Sequence, residues 1–116
     1  MNRKDTVILR KVLRYCIECG EACSMFNNDF ERFCTESVFQ NACCMCILQI
    51  GELCKTLSSD VRKEHPEVSW KGWCGIRDVF AHQYTNLDFD MAWDAVQIDL
   101  PVLRKAVEEI LSKEEI

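Results

Sequence analysis

The stretch Glu36-Ser37-Val38-Phe39-Gln40-Asn41-Ala42-Cys43-Cys44-Met45-Cys46-Ile47-Leu48-Gln49-Ile50-Gly51-Glu52-Leu53-Cys54-Lys55-Thr56-Leu57 decides the fold class. Phe39, Cys43, Cys46, Ile50, Leu53 and Leu57 recur three and four residues apart along it, the spacing of one helix face and not the alternation of a strand. The spacing predicts a long helix over residues 36–57.

The same period runs outward in both directions. Upstream, Asp5 is placed to cap a helix over residues 6–25, with Ile8, Val12, Tyr15, Cys16, Cys19 and Cys23 on its apolar side. Asn27, Asn28 and Asp29 break that helix, and residues 30–34 suit a short extra turn. Downstream, Ser58 to Pro66 reads as a polar connection with one helical turn around residues 61–63. Ser69 is placed to cap a helix carrying Trp73, Ile76, Phe80 and Tyr84. After a turn at Asn86 and Asp88, a last helix from Phe89 carries Trp93, Val96, Leu100, Leu103, Val107 and Ile110, with any bend falling near Pro101. Strand-like alternation occurs nowhere. The expectation is an all-α, antiparallel up-and-down bundle of four to five helices forming a single domain over residues 1–116.

Composition narrows the function. The chain carries 14 Lys and Arg against 19 Asp and Glu, a net charge of −5, which excludes a general nucleic-acid coating protein because such binding depends on neutralising phosphates. Contact with RNA then requires a local basic surface. No uninterrupted apolar run of about 18–20 residues is found, and the start Met-Asn-Arg-Lys-Asp is unlike a signal peptide. The expectation is a cytoplasmic protein with no membrane partner.

Nine cysteines are many for 116 residues. Cys16-x-x-Cys19 and Cys43-Cys44-x-Cys46 each resemble half a zinc site. However, Cys16, Cys19 and Cys23 fall on one helical stripe, and Cys43 and Cys46 continue a stripe with Ile50, so the expected role is apolar packing. Zinc pairs are usually placed on turns, where the thiolates converge. No metal and no cofactor are expected.

The segment Trp70-Lys71-Gly72-Trp73-Cys74-Gly75-Ile76-Arg77-Asp78-Val79-Phe80-Ala81-His82-Gln83-Tyr84 concentrates the chemistry. On a helix, Asp78 and His82 lie about 40° apart and are within hydrogen-bonding reach, whereas Arg77 and His82 lie about 140° apart. One phosphate is reached by both only if the long arginine and a frayed helix end allow it, or if two copies of the helix face each other across a two-fold axis. The set suits RNA cleavage. A histidine near neutrality can take the 2′-hydroxyl proton or protonate the leaving oxygen, and arginine stabilises charge on the phosphoryl oxygens. Asp78 is placed to orient the imidazole. With the 2′-hydroxyl as nucleophile no metal is needed, and DNA is not expected as a substrate. The ordinary alternative is a surface ion pair at Arg77 and an interface histidine at His82. Spacing does not separate the two. His65, Lys71, Arg62 and Lys63 are expected to be structural or solvated.

Arg77, four residues, His82, one residue and Tyr84 together resemble the signature of HEPN domains, in the HepT-like toxin branch. Ile50-Gly51-Glu52-Leu53-Cys54-Lys55, His65-Pro66-Glu67-Val68-Ser69-Trp70, and Trp93 with Asp99-Leu100-Pro101 resemble the family's second long helix, its loop into the motif helix and its final helix. The resemblance implies a two-fold homodimer with motif helices facing each other and a metal-independent endoribonuclease. Arg77 and His82 would be its catalytic pair, with Asp78 where relatives often carry Asn. It also implies a partner, a minimal nucleotidyltransferase acting as antitoxin, that attaches AMP to Tyr84 and so blocks RNA sterically and electrostatically. Two other readings compete. One is a non-catalytic, nucleotide-binding or adaptor subunit of such a nucleotidyltransferase; the other is a structural bundle with a cysteine-bound metal.

Overall fold

A computed structural model describes residues 1–83 and 86–114. The chain folds around α3 (Ser37–Lys55), which packs against α1 (Arg3–Met25) on one side and α5 (Trp70–Gln83) on the other. Two partners need two apolar faces, and α3 has them: besides Phe39, Cys43, Cys46 and Ile50, it buries Cys44, Ile47, Gly51 and Cys54. Serving as the central helix makes α3 unusually apolar. With 19 residues and a mean hydropathy of 1.2 it is long and apolar enough to cross a bilayer, although no unbroken apolar run marks it in the sequence.

The last helix closes the bundle against α1. It runs through α6 (Phe89–Asp94), a π turn (Ala95–Asp99) and α7 (Leu100–Glu114). Pro101 accounts for the π turn: its ring has no N–H and would crowd the Gln97 carbonyl, so the backbone widens just before it. Leu100 N–H accordingly reaches back five residues to the Ala95 carbonyl. The extra residue rotates α6 relative to α7. As a result Ala92 and Ala95 enter the core, and Trp93, expected in the stripe, is only half buried. The expected bundle is present, with α1, α3, α5 and the bent α6–α7 unit as its long members and no strand among the described residues.

Two short helices complete it. α2 (Phe30–Thr35) is too short to be stable alone and is bolted down by aromatic rings. Phe33 is fully buried and meets Phe39 edge-on at 5.3 Å between ring centroids and Trp93 at 5.2 Å, while Phe26 stacks on Phe39 at 4.6 Å. α4 (Ser59–Glu64) buries Val61.

Asn2, not Asp5, caps α1: its side chain accepts from the Asp5 amide at 2.8 Å. Asp5 is instead 2 % exposed and accepts from the Ser58 amide at 3.0 Å and the Ser58 hydroxyl at 2.6 Å. The first turn of the chain is thereby tied to the cap of α4. Arg62 is not a solvated charge either. Its guanidinium donates to the Cys54 and Lys55 carbonyls at 2.7 and 2.9 Å, placing a cation where the α3 carbonyls emerge. His65 holds its loop: its carbonyl accepts from the Trp70 indole at 2.9 Å and its ring lies 3.4 Å from Glu67.

Seven of the nine cysteines are buried, and Cys34 and Cys74 are intermediate. Cys16, Cys44 and Cys54 are buried, and burial pushes their thiols up to about 12, 11 and 12. At those values they stay protonated and pack as small hydrophobes.

Candidate active site

α5 presents the motif. Trp70, Trp73 and Phe80 turn inward and are buried, which leaves Asp78, Ala81 and His82 exposed and Arg77 between the two faces. The helix lies very close to α3 at one point. A Cβ on Gly51 would stand 2.2 Å from the Arg77 Cβ and 2.8 Å from the Trp73 carbonyl oxygen, so only glycine lets the two backbones meet there.

That approach places Arg77 among charges from α3. Its Nε lies 3.0 Å from a Glu52 carboxylate oxygen, and its NH1 donates to Asp78 at 3.2 Å. The same Asp78 oxygen accepts from Lys55 at 2.7 Å. Glu52, Arg77, Asp78 and Lys55 thus form an alternating row of charges at the surface. Lys55 first, and Arg77 after it, hold the Asp78 carboxyl below the usual carboxylate range.

Asp78 does not orient His82. Its carboxylate is directed at Lys55 and Arg77, and no Asp78–His82 hydrogen bond occurs among the described residues. The i, i+4 spacing allows the contact, but Lys55 on the neighbouring helix offers a full positive charge and takes the acceptor. Tyr84 lies outside the described residues.

Arg77 also lines an open groove of about 420 Å³ between α3 and α5, with Met45, Leu48 and Gln49 on one wall and Phe80 and Ala81 on the other. His82 is not part of its lining; it is exposed further round the same helix. The structure therefore brings Arg77 together with Glu52, Asp78 and Lys55, but does not bring Arg77 and His82 onto one face of a single chain. Glu52, Lys55 and Gly51 surround Arg77 from α3, a grouping that the spacing of the α5 motif does not reveal. The available signal was a glycine interrupting an otherwise continuous helical pattern, which marks a close approach.

Comparison with known proteins supplies the family. The sequence model of the family described as ribonuclease HepT-like matches residues 17–110. A proposed RNase of Caldanaerobacter subterraneus is 35% identical over 85 residues, spanning 73% of this chain and 76% of that protein. A proposed ribonuclease HepT of Thermococcus cleftensis is 31% identical over 81 residues, spanning 70% of this chain and 74% of the other. A longer Methanocaldococcus jannaschii protein, named for both a gamma-glutamylcyclotransferase and an RNase, is 27% identical over 113 residues, 96% of this chain and 50% of that one. No solved structure matches.

Proposed function

Because the chain belongs to the ribonuclease HepT-like family, we propose that it is a metal-independent endoribonuclease toxin that cuts RNA with Arg77 and His82 in a cleft between two copies. The observation that carries this reading is that one helix, α5, offers a groove-lining guanidinium and an exposed imidazole on different faces. A second α5 related by a two-fold axis supplies the missing partner for each. The groove wall suits such a contact, since Met45 is 53 % exposed, an apolar side chain beside the proposed cleft.

In the proposed reaction, a neutral His82 takes the proton of the 2′-hydroxyl as its oxygen bonds to the adjacent phosphorus. The bond from phosphorus to the 5′-oxygen breaks, and a protonated His82 donates to that leaving oxygen. Arg77 stabilises the charge on the non-bridging oxygens. To do so it must exchange Glu52 and Asp78 for phosphate, so the acidic pair acts as a stand-in for substrate in the resting protein. A minimal nucleotidyltransferase partner that attaches AMP to Tyr84 is proposed to silence the enzyme by adding bulk and negative charge beside the cleft.

The test is cleavage of structured and unstructured RNA by purified protein in excess chelator. Cleavage is expected, with loss of at least about a hundredfold in Arg77→Ala and in His82→Ala, the usual scale for an acid–base or charge-stabilising group. A folded, unmodified protein that leaves all RNAs intact overturns it. The net charge of −5, a handicap for a nuclease that must attract RNA, favours one other reading, a nucleotide-binding subunit of a nucleotidyltransferase that grips phosphate without cutting. Tight AMP or ATP binding by calorimetry without RNA cleavage would select that reading.

A further inference from the structure

Three cysteines behave differently from the rest of the core. Cys19 and Cys23 are buried on α1 one turn apart, and Cys43 is buried on α3. The sulfurs of Cys19, Cys23 and Cys43 all lie within 4.8 Å of one another. Cys46, on the next turn of α3, lies outside this mutual spacing. Apolar packing has no need for sulfur to converge on sulfur, and Cys16, Cys44 and Cys54 are buried in the same helices outside this group.

Two further features point at the cluster. The Gln97 side-chain amide donates to the Cys23 sulfur at 3.7 Å. The π turn carries Gln97 there, and reciprocal amide contacts with Asn28 at 2.7 and 3.1 Å hold it in place. An amide donor fixed on a sulfur is the kind of outer contact that metal-bound thiolates receive. A small cavity of about 100 Å³ also reaches Cys23 from the surface, walled by Cys16, Gly20, Leu100 and Arg104. Nothing would stand within 4 Å of a Cβ on Gly20, so the route is open on that side.

We infer that Cys19, Cys23 and Cys43 form a three-thiolate binding site for a thiophilic closed-shell cation, of the zinc or cuprous class, that clamps α1 to α3. Soft thiolates select these ions, three of them suffice for a cuprous ion, and a zinc ion about 2.3 Å from each sulfur, with water as fourth ligand, needs sulfurs about 3.8 Å apart, a contraction of at most about 1 Å from the 4.8 Å within which the three now lie. Binding converts thiols to thiolates and releases their protons to solvent. The site lies about two and a half turns of α3 away from Glu52 and is independent of the ribonuclease reading.

The experiment uses the full chain, reduced and stripped of metal under denaturing conditions, then refolded anaerobically. Titration with Co²⁺ is expected to give sulfur-to-cobalt charge-transfer absorption and intense tetrahedral bands that saturate at one ion per chain, with Zn²⁺ bleaching them. A parallel arm measures transfer of Cu⁺ from a coloured chelator, so the two ions are told apart. Either ion should raise the melting temperature by at least about 5 °C. Binding should be lost in Cys19→Ser/Cys43→Ser and kept in Cys54→Ser/Cys74→Ser. If the wild-type chain, folded by circular dichroism, binds neither ion stoichiometrically, or if the cluster variant binds as well as wild type, the proposal fails. The wild-type titrations are decisive by themselves, so a variant that does not fold changes neither outcome.

Discussion

Gly51 and Arg77 are in direct backbone-to-side-chain register: the position of a Cβ on Gly51 falls 2.2 Å from the Arg77 Cβ. A place where α3 and α5 leave no room for a Cβ is therefore also the place from which the candidate guanidinium springs. Gly51→Ala gains up to about 1 kcal/mol of helix propensity, but it must separate the helices at a cost of about 1–3 kcal/mol. Thermal denaturation is expected to show a net loss of several degrees, together with reduced RNA cleavage. A variant more stable than wild type would mean that propensity alone governs this position.

Glu52 and Asp78 occupy Arg77 in the resting protein. Exposed pairs of this kind contribute little to stability, because water and salt screen them. Glu52→Gln should leave the melting temperature nearly unchanged and tighten RNA binding severalfold, seen as a lower KM in cleavage assays. Unchanged or weaker binding would show that Glu52 does not compete with phosphate.

A shared cleft makes a prediction about mixtures. Arg77→Ala protein retains His82, and His82→Ala protein retains Arg77. Mixed after partial unfolding and refolding, they should regain up to about half of the wild-type activity in the heterodimer, provided that the cleft takes one residue from each copy. If each chain serves its own cleft, the mixture remains as inactive as its parts.

Asp5 supplies a pH signature. Burial by itself pushes its carboxyl up, but the Ser58 hydroxyl and amide outweigh burial and hold it below the ordinary value of 3.8. A depressed folded-state value means that its contribution is fully present above the unfolded value and disappears as pH falls through the folded one. Melting temperature should therefore decline below about pH 4. Asp5→Asn should lower stability by about 1–3 kcal/mol at neutral pH and flatten that acidic decline. A parallel acid profile for wild type and variant would remove Asp5 from the account.

The helices were legible because each repeats its apolar residues locally; Phe39 to Leu57 reads as one face without reference to any neighbour. What could not be read is pairing across the bundle. Asp5 at the start of a helix has the chemistry of a cap, and nothing near it in sequence reveals Ser58, 53 residues away. Asp78 has the spacing to reach His82, yet a lysine 23 positions upstream takes it. The cysteine stripes of α1 and α3 were each visible, but their convergence depends on the two helices packing in register. Arg77 and His82 fall on one helix as their spacing required, and the 140° between them already separated their faces.

The π turn before Pro101 amounts to one surplus residue stored inside a helix. Deleting a residue from positions 95–99 together with Pro101→Ala should yield a continuous α-helix with its ladder intact. Four α-helical residues turn through about 400°, nearly the turn of the five they replace, so after the deletion α6 keeps its facing toward α7 and Trp93 keeps its place. Pro101→Ala without the deletion, with the segment reverting to α-helix, should instead turn α6 by roughly a quarter of a revolution. The π turn thus works as slack in the last helix, absorbing one residue of chain length while the side chains upstream keep their aim.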